Sequence, residues 1–253
     1  MSNALLRVKD LSVNVGDESE GIEILHHINL EIGPGEVHVL MGPNGAGKST
    51  LGYAVMGNPA YAITSGSIEV DGQDLTDEPA NVRAKAGLYL SFQNPLEVPG
   101  ITMASFIRTA VEQLTGNRVR LYEFRKTLKK HMALLQMDES YLERDLNVGF
   151  SGGEKKKAEI LQLLAINPKL AILDETDSGL DVDAVKTVST GIDAYMEQGD
   201  RSLLIITHST RILDQLHVDK THVLVDGRIV AEGDASMIDD INENGFEKYV
   251  AMA

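Results

Sequence analysis

The stretch Gly42-Pro43-Asn44-Gly45-Ala46-Gly47-Lys48-Ser49 decides the fold, because it matches the phosphate-binding loop pattern G-x-x-x-x-G-K-[ST]. Its glycines let consecutive backbone amides face the phosphates of a nucleotide, and a following helix would direct its positive end to the same point. Lys48 adds a positive charge there, and the Ser49 hydroxyl can bind Mg²⁺. The apolar run 37–41 precedes the loop and a helical pattern opens at Lys48, which is the strand–loop–helix context of a nucleotide site.

A second short segment predicts the other half of such a site. The apolar run Leu170–Leu173 ends in Asp174 and Glu175. A carboxylate at the end of a neighbouring strand can hold Mg²⁺ through water, and a second carboxylate can orient or deprotonate the attacking water. Acidic residues also cap many strand ends, but the phosphate-binding loop on the same chain favours the functional interpretation.

The segment Phe150-Ser151-Gly152-Gly153-Glu154 predicts the start of a helix whose first backbone amides are accessible. Ser151 and Glu154 form a capping-box pattern ahead of a helix predicted to run to Ile166. Gly152 and Gly153 leave the first amides of that helix sterically open, which suits a second phosphate group. Because the loop at 42–49 already covers the phosphates of its own nucleotide, we expect this second site to act on a nucleotide held by another copy.

The hydrophobic pattern predicts an α/β fold. Residues 6–32 alternate apolar and polar side chains, which indicates short, half-buried strands. Residues 95–147 carry apolar side chains at helical spacing, as in a helical lobe. Afterwards short apolar runs, including 203–207, alternate with helical segments such as 183–198, which indicates a parallel sheet buried on both faces. We expect one domain over 1–253, with a core of about 1–93 and 168–253 and a helical lobe of about 94–167.

Composition excludes several functional classes. The chain has 23 Lys+Arg against 38 Asp+Glu, a formal charge of −15, which argues against nucleic acid as a partner. It contains no cysteine, so it cannot supply thiolate ligands to a metal cluster or form a disulfide. Residues 1–10 show no apolar signal-peptide core, and no apolar run approaches the length of a membrane span. We therefore expect a cytoplasmic protein without direct membrane insertion.

The order of these motifs resembles that of the ABC-type ATPases over essentially the whole chain. The motifs, in sequence, are the loop at 42–49, Gln93, Ser151–Glu154, Asp174-Glu175, the segment 178–181 and His208. Within that superfamily the chain is similar to the ATPases of the SUF iron–sulfur cluster assembly system, on the segments 56–61, 92–100, 150–156 and 174–181. Transporter ATPases more often have Gln in place of Glu154 and Pro-Thr in place of Thr176-Asp177.

The resemblance implies an ABC-type ATPase domain, with N-terminal antiparallel strands and a helical lobe inserted into a parallel-sheet core. It also implies a role for each motif. It implies that ATP is bound by Gly42, Pro43, Asn44, Gly45, Ala46, Gly47, Lys48, Ser49 and Thr50. Mg²⁺ would be held by Ser49, Gln93 and, through water, Asp174. Glu175 would be the catalytic carboxylate, and His208 would contact the γ-phosphate. Ser151, Gly153 and Asp181 would close on the nucleotide of a second copy in a head-to-tail pair that forms on ATP binding.

The resemblance also implies a cellular task. It implies Mg²⁺-dependent ATP hydrolysis that drives a conformational change in a SufB-like scaffold, alone or with SufD, during iron–sulfur cluster assembly. The alternatives are an ATP-binding subunit of a membrane transporter and a regulatory module that binds nucleotide without hydrolysing it. Because no aromatic residue precedes Tyr53, we expect Val13, Val15 or the aliphatic part of a neighbour to cover the adenine base.

Overall fold

A six-stranded sheet lies at the centre of the computed structural model, which describes residues 4–16, 21–207, 211–213 and 216–252. Its strands pair in parallel except for the last in chain order, which is antiparallel to its neighbour. From one edge to the other the strands are β12 (Arg228–Gly233), β11 (Lys220–Val225), β3 (Val37–Met41), β10 (Ser202–Ile206), β9 (Leu170–Asp174) and β6 (Leu88–Ser91). The predicted α/β class with a parallel-strand core is confirmed.

A four-stranded antiparallel sheet holds the N-terminal strands, as predicted. In spatial order its strands are β2 (Ile22–Ile32), β1 (Leu6–Val15), β4 (Tyr61–Val70) and β5 (Gln73–Asp74). The expectation of short strands was wrong, since β1 and β2 have 10 and 11 residues. Asp10 and His27 adopt left-handed backbone conformations, with φ of 49° and 54°, and the pairing of β1 with β2 shifts register beside them. These irregularities interrupt the apolar alternation without ending the strands.

The described residues contain eight α-helices, six of them between strands and two after the last strand. They are α1 (Lys48–Met56), α2 (Ala80–Ala86), α3 (Met103–Thr115), α4 (Leu121–Leu134), α5 (Gly152–Ile166), α6 (Val182–Met196), α7 (Ser236–Asn244) and α8 (Glu247–Val250). A short 3₁₀ helix (Glu139–Glu143) and a two-stranded ribbon of β7 (Val98–Thr102) and β8 (Asp145–Leu146) lie among α3, α4 and α5. In the described part of the chain, none of the helices has the length and hydrophobicity that crossing a membrane requires.

The six-stranded sheet is buried on both faces, because alternate residues of its strands enter two different hydrophobic clusters. In β10, Leu203 and Ile205 face a cluster that includes residues of α3, α4, α5 and α6. Leu204 and Ile206 face a cluster shared with α1 and the antiparallel sheet. The first cluster runs without interruption from the sheet into the helices between β6 and β9. The division into a core and a helical lobe stays a prediction.

A buried guanidinium holds the C-terminal end of α1, the helix that follows the phosphate-binding loop. Arg83 of α2 is 3% exposed and donates through Nη1 to the carbonyl oxygens of Ala54 and Val55, at 2.8 and 2.9 Å. Its Nε and Nη2 atoms donate to the carbonyl oxygens of Glu78 and Thr76, at 2.7 and 2.8 Å. A cation at this end of a helix also interacts favourably with the helix dipole.

We predict that Arg83→Ala lowers the free energy of unfolding by about 2–4 kcal/mol, because it removes four hydrogen bonds from the guanidinium to carbonyl oxygens, two of them buried and two partly buried. Arg83→Lys should recover only part of this, since an ammonium cannot reproduce the planar fork of donors. Urea unfolding measures the change. Lys85→Ala, on the exposed side of α2, is the matched control and should cost under about 0.5 kcal/mol. Equal losses for Arg83→Ala and Lys85→Ala would contradict the assignment.

Candidate active site

The phosphate-binding loop leaves the carboxyl end of β3 in the middle of the sheet and enters α1. At Gly42 a Cβ atom would lie 2.1 Å from the carbonyl oxygen of Leu224 on the neighbouring strand, so no side chain fits there. Gly47 precedes the first residue of α1 with φ of 102°, a conformation that glycine adopts without strain. The sequence therefore needs glycine at these two positions to bring the loop backbone across the end of the sheet.

A cavity of about 540 Å³ opens at this loop. It is lined by three groups of residues that are far apart in sequence. They are Asn44, Gly45, Gly47, Lys48, Ser49 and Thr50 from the loop and α1; Gln93 and Glu175 from the ends of β6 and β9; and Val15, Ile24 and Tyr61 from the antiparallel sheet. The predicted residues Gly42, Pro43 and Ala46 belong to the loop but do not line the cavity.

The Lys48 side chain folds back over the loop. Its Nζ atom donates to the carbonyl oxygens of Gly42 and Pro43, at 2.8 and 3.0 Å. Burial lowers the pKa of the Lys48 ammonium, and the nearby carboxylates of Glu175 and Asp174 act in the opposite direction. Two of its three N–H donors are used by the loop, which leaves one for an anion in the cavity.

Asp174 ends β9 with its carboxylate buried beside α1. It is 2% exposed; its backbone N–H donates to Ser91 Oγ at 3.1 Å, and its carboxylate is hydrogen-bonded to the Ser49 side chain. Burial raises the pKa of Asp174, and the neighbouring Glu175 carboxylate raises it further. Its Oδ1 atom is buried and has no hydrogen-bond partner among the described residues. A buried carboxylate oxygen without a partner, next to a hydroxyl, fits the oxygen ligands that Mg²⁺ prefers.

Glu175 turns away from the path of β9 toward the cavity. Its φ of 47° is in the left-handed region, while its N–H still donates to the Ile206 carbonyl oxygen on β10, at 2.8 Å. The Gln93 Nε2 atom donates to Glu175 Oε2 at 2.5 Å. The structure thus brings together two of the predicted residues that are 82 positions apart.

Helix α5 holds the backbone at Gln93. Lys156 donates to the carbonyl oxygens of Phe92 and Gln93, at 2.9 and 3.0 Å, and Glu159 accepts from the Phe92 N–H at 2.9 Å. Lys156 and Glu159 form an ion pair at 3.3 Å, and both side chains are almost completely buried. This pair cannot be recognised from the sequence, because its position beside the Gln93 segment depends on how α5 packs.

Ser151, Gly153 and Asp181 do not line the cavity of their own chain. Ser151 begins α5 with the predicted capping box: its Oγ accepts from the Glu154 N–H, and Glu154 accepts from the Ser151 N–H. Asp181 caps α6 by accepting from the Ala184 N–H at 2.8 Å. At Gly153 an added Cβ would meet nothing closer than 3.9 Å, so this helix start is open. The predicted residue His208 lies outside the described residues.

Three side chains of the antiparallel sheet form the outer end of the cavity. Val15, which the sequence predicts as a cover for the base, lines it and is 41% exposed. The other candidate, Val13, is fully buried in the sheet and does not line the cavity, so that part of the expectation was wrong. Tyr61, which no local sequence pattern assigns to this site, pairs with Val15 across β1 and β4 and stacks on the Tyr53 ring at 5.3 Å. Only the register of β4 against β1 would have predicted that Tyr61 lies at this cavity.

Comparison with known proteins agrees with this geometry. Residues 25–178 match the family described as "ABC transporter". "Vegetative protein 296" of Bacillus subtilis is 46% identical over 98% of this chain and 94% of its own length. The "Probable ATP-dependent transporter SufC" of Escherichia coli is 43% identical over 96% of this chain and 97% of its own length.

A solved structure shares the fold at low sequence identity. The dimeric ATP-binding cassette MJ0796, in a post-hydrolysis state with ADP and Pi, superposes with a TM-score of 0.78 at 20% identity and covers 90% of this chain and 98% of its own. The full-length matches at more than 40% identity show the family. The chain therefore belongs to the ABC transporter family of ATP-hydrolysing cassettes, as a homologue of SufC.

Proposed function

We propose that this ATPase acts on Mg²⁺-ATP in the cavity at the phosphate-binding loop. The observation that carries the proposal is that the loop, Gln93 and Glu175 line one cavity, and that Gln93 and Glu175 are hydrogen-bonded to each other there. The buried Asp174 carboxylate does not line this cavity, but it contacts Ser49, which does. The loop amides and the free donor of Lys48 bind the phosphate oxygens. Ser49, Gln93 and, through water, Asp174 are the residues that would hold Mg²⁺. When bound, the ion offsets negative charge on the phosphates.

Glu175 is the proposed general base. It accepts a proton from the water that attacks the γ-phosphorus, as the bond from that phosphorus to the bridging oxygen of ADP breaks. Gln93 donates to the same carboxylate and thereby fixes where it points. His208, by resemblance, contacts the γ-phosphate. Val15, Ile24 and Tyr61 offer an apolar edge against which adenine packs.

We further propose that two copies pair head to tail on ATP binding. Ser151, Gly153 and Asp181 lie outside the cavity of their own chain, and the helix start at Gly152 and Gly153 leaves its amides sterically open. An open helix N-terminus is a site for an anion such as the γ-phosphate of the partner. The dimeric form of the MJ0796 cassette is consistent with such a pair.

The proposed task is to drive conformational change in a SufB-like scaffold, alone or with SufD, during iron–sulfur cluster assembly in the cytoplasm. Similarity to SufC over nearly the whole chain supports it. The absence of cysteine fits this division of labour, because the chain supplies work while other proteins supply thiolates. The alternative is the ATP-binding subunit of a membrane transporter, since a relative in Streptococcus pyogenes is named "Probable ABC transporter ATP-binding protein".

We predict that Glu175→Gln lowers the rate of phosphate release by about 10²–10⁴-fold, because the amide cannot accept the proton from water. ATP affinity should stay within about threefold, since Glu175 is not assigned to phosphate binding. Glu197→Gln, an exposed glutamate after α6, is the control and should hydrolyse at the wild-type rate. If Glu175→Gln hydrolysed ATP at the wild-type rate, Glu175 would not be the general base.

We predict that Gly153→Asp abolishes ATP-dependent pairing while leaving the monomer folded and able to bind ATP. The new carboxylate has room at an open helix N-terminus, but it would face the phosphates of the partner copy. Sedimentation of the slow Glu175→Gln background with ATP measures the pairing. Gly153→Ala is the uncharged control and should pair more strongly than Gly153→Asp. Unchanged pairing by Gly153→Asp would show that this helix start does not meet a nucleotide.

We predict that affinity purification without detergent recovers a partner that contains cysteine and has no membrane spans, identified by mass spectrometry. Retention of that partner by the Glu175→Gln variant with ATP would show that the complex does not require turnover. Recovery only from the membrane fraction, together with multi-span proteins, would favour the transporter alternative and leave the nucleotide site unaffected.

A further inference from the structure

Helices α3 and α4 form a basic region in an acidic chain. Residues 103–130 contain seven basic and two acidic side chains, although the whole chain has a formal charge of −15. Arg125 pairs with Glu143 at 2.7 Å, and Lys129 pairs with Glu139. The other five cations make no ion pair among the described residues. These unpaired cations are Arg108, Arg118, Arg120, Lys126 and Lys130.

Arg108 differs from the other unpaired cations because its guanidinium is not simply in solvent. The residue is partly buried in α3, and its Nε atom is buried without a hydrogen-bond partner in the part of the chain that the structure describes. A buried donor on a charged group loses its hydration, and this is unfavourable unless an acceptor replaces the water. Acidic residues are abundant in this chain, yet none of those that the structure describes accepts from this atom, which indicates an acceptor that comes from outside.

A small cavity lies where such an acceptor would bind. It has a volume of about 110 Å³ and lies between α3 and α4, with Arg108 and Arg125 in its wall. The hydroxyl-bearing residues Thr102 and Ser105 also line it, and Leu121 and Phe124 contribute apolar surface. A water molecule occupies about 30 Å³ in the liquid, so the space admits a carboxylate group but not a nucleotide. Two guanidiniums with hydroxyl donors form a strong recognition set for a carboxylate.

We propose that this cavity binds the carboxylate of an acidic segment of a partner protein, whose neighbouring residues pack on the start of α4. The exposed side chains at that start favour a protein over a free ion, since Leu121 is 56% and Tyr122 is 76% exposed. Apolar side chains flanked by cations match a segment that mixes acidic and apolar residues. Nucleic acid is disfavoured, because its extended charge would meet the acidic remainder of the chain. The inference does not depend on the nucleotide chemistry.

The test uses a fluorescein-labelled peptide of glutamate pairs separated by single leucines, with anisotropy recorded at low ionic strength. Arg108→Gln and Lys126→Gln are matched, because each removes one unpaired cation of this region and only Arg108 lines the cavity. We expect affinity to fall at least about tenfold for Arg108→Gln and at most about threefold for Lys126→Gln. Arg125→Gln, which also changes the cavity wall, should resemble Arg108→Gln.

The folding control is the ATP hydrolysis rate, which should be unchanged in all three variants since none belongs to the nucleotide site. Equal losses of peptide affinity for Arg108→Gln and Lys126→Gln would show that the peptide binds only through the overall positive charge of this region. The proposal would then be wrong. It would also be wrong if the wild-type protein did not bind the peptide. If a single-stranded oligonucleotide of equal charge bound more tightly than the peptide, with the same dependence on Arg108, the partner would be a nucleic acid and the proposed protein partner would be wrong.

Discussion

Strand β10 lies between β3 and β9 and forms parallel backbone hydrogen bonds with both along Leu203–Ile206. Because parallel strands end at the same edge of a sheet, the loop after β3 and the carboxylates after β9 emerge side by side. The N–H of Glu175 continues the pairing one residue past β9 by donating to Ile206. A slip of one residue in this register would turn the side chains of β9 to the opposite faces of the sheet and separate Asp174 from Ser49.

Four charged side chains around the candidate site are buried. Lys48, Asp174, Lys156 and Glu159 are all at most 7% exposed, yet each contacts a backbone carbonyl, a hydroxyl or an opposite charge. An unpaired buried charge is costly, so each of these groups constrains the segment that supplies its partner. The pair of Lys156 and Glu159 fixes the Phe92–Gln93 segment, and Gln93 in turn contacts Glu175. The start of α5 and the proposed catalytic carboxylate are therefore parts of one connected network.

Much of this arrangement could be predicted from local sequence. The phosphate-binding loop, the capping box at Ser151 and the strand before Asp174 are specified by residue types within a few positions. What could not be predicted depends on strand register and helix packing. Tyr61 reaches the cavity only because β4 pairs with β1 opposite Val15, and Val13, two residues before Val15 and opposite Ile63, is fully buried. Local patterns determine which elements form, whereas long-range pairing determines which side chains meet.

Helix α1 is nine residues long, or about 13 Å, with the phosphate-binding loop at one end and the Arg83 guanidinium at the other. A helix of two to three turns transmits displacement along its axis, because its backbone hydrogen bonds resist stretching. In a genetic screen, loss-of-function mutations in α2 should therefore have the same phenotype as mutations in the loop, although α2 does not line the nucleotide cavity. Second-site suppressors of such mutations should lie at residues that pack against α1. Sequence differences in α2 should likewise be compared with differences in α1.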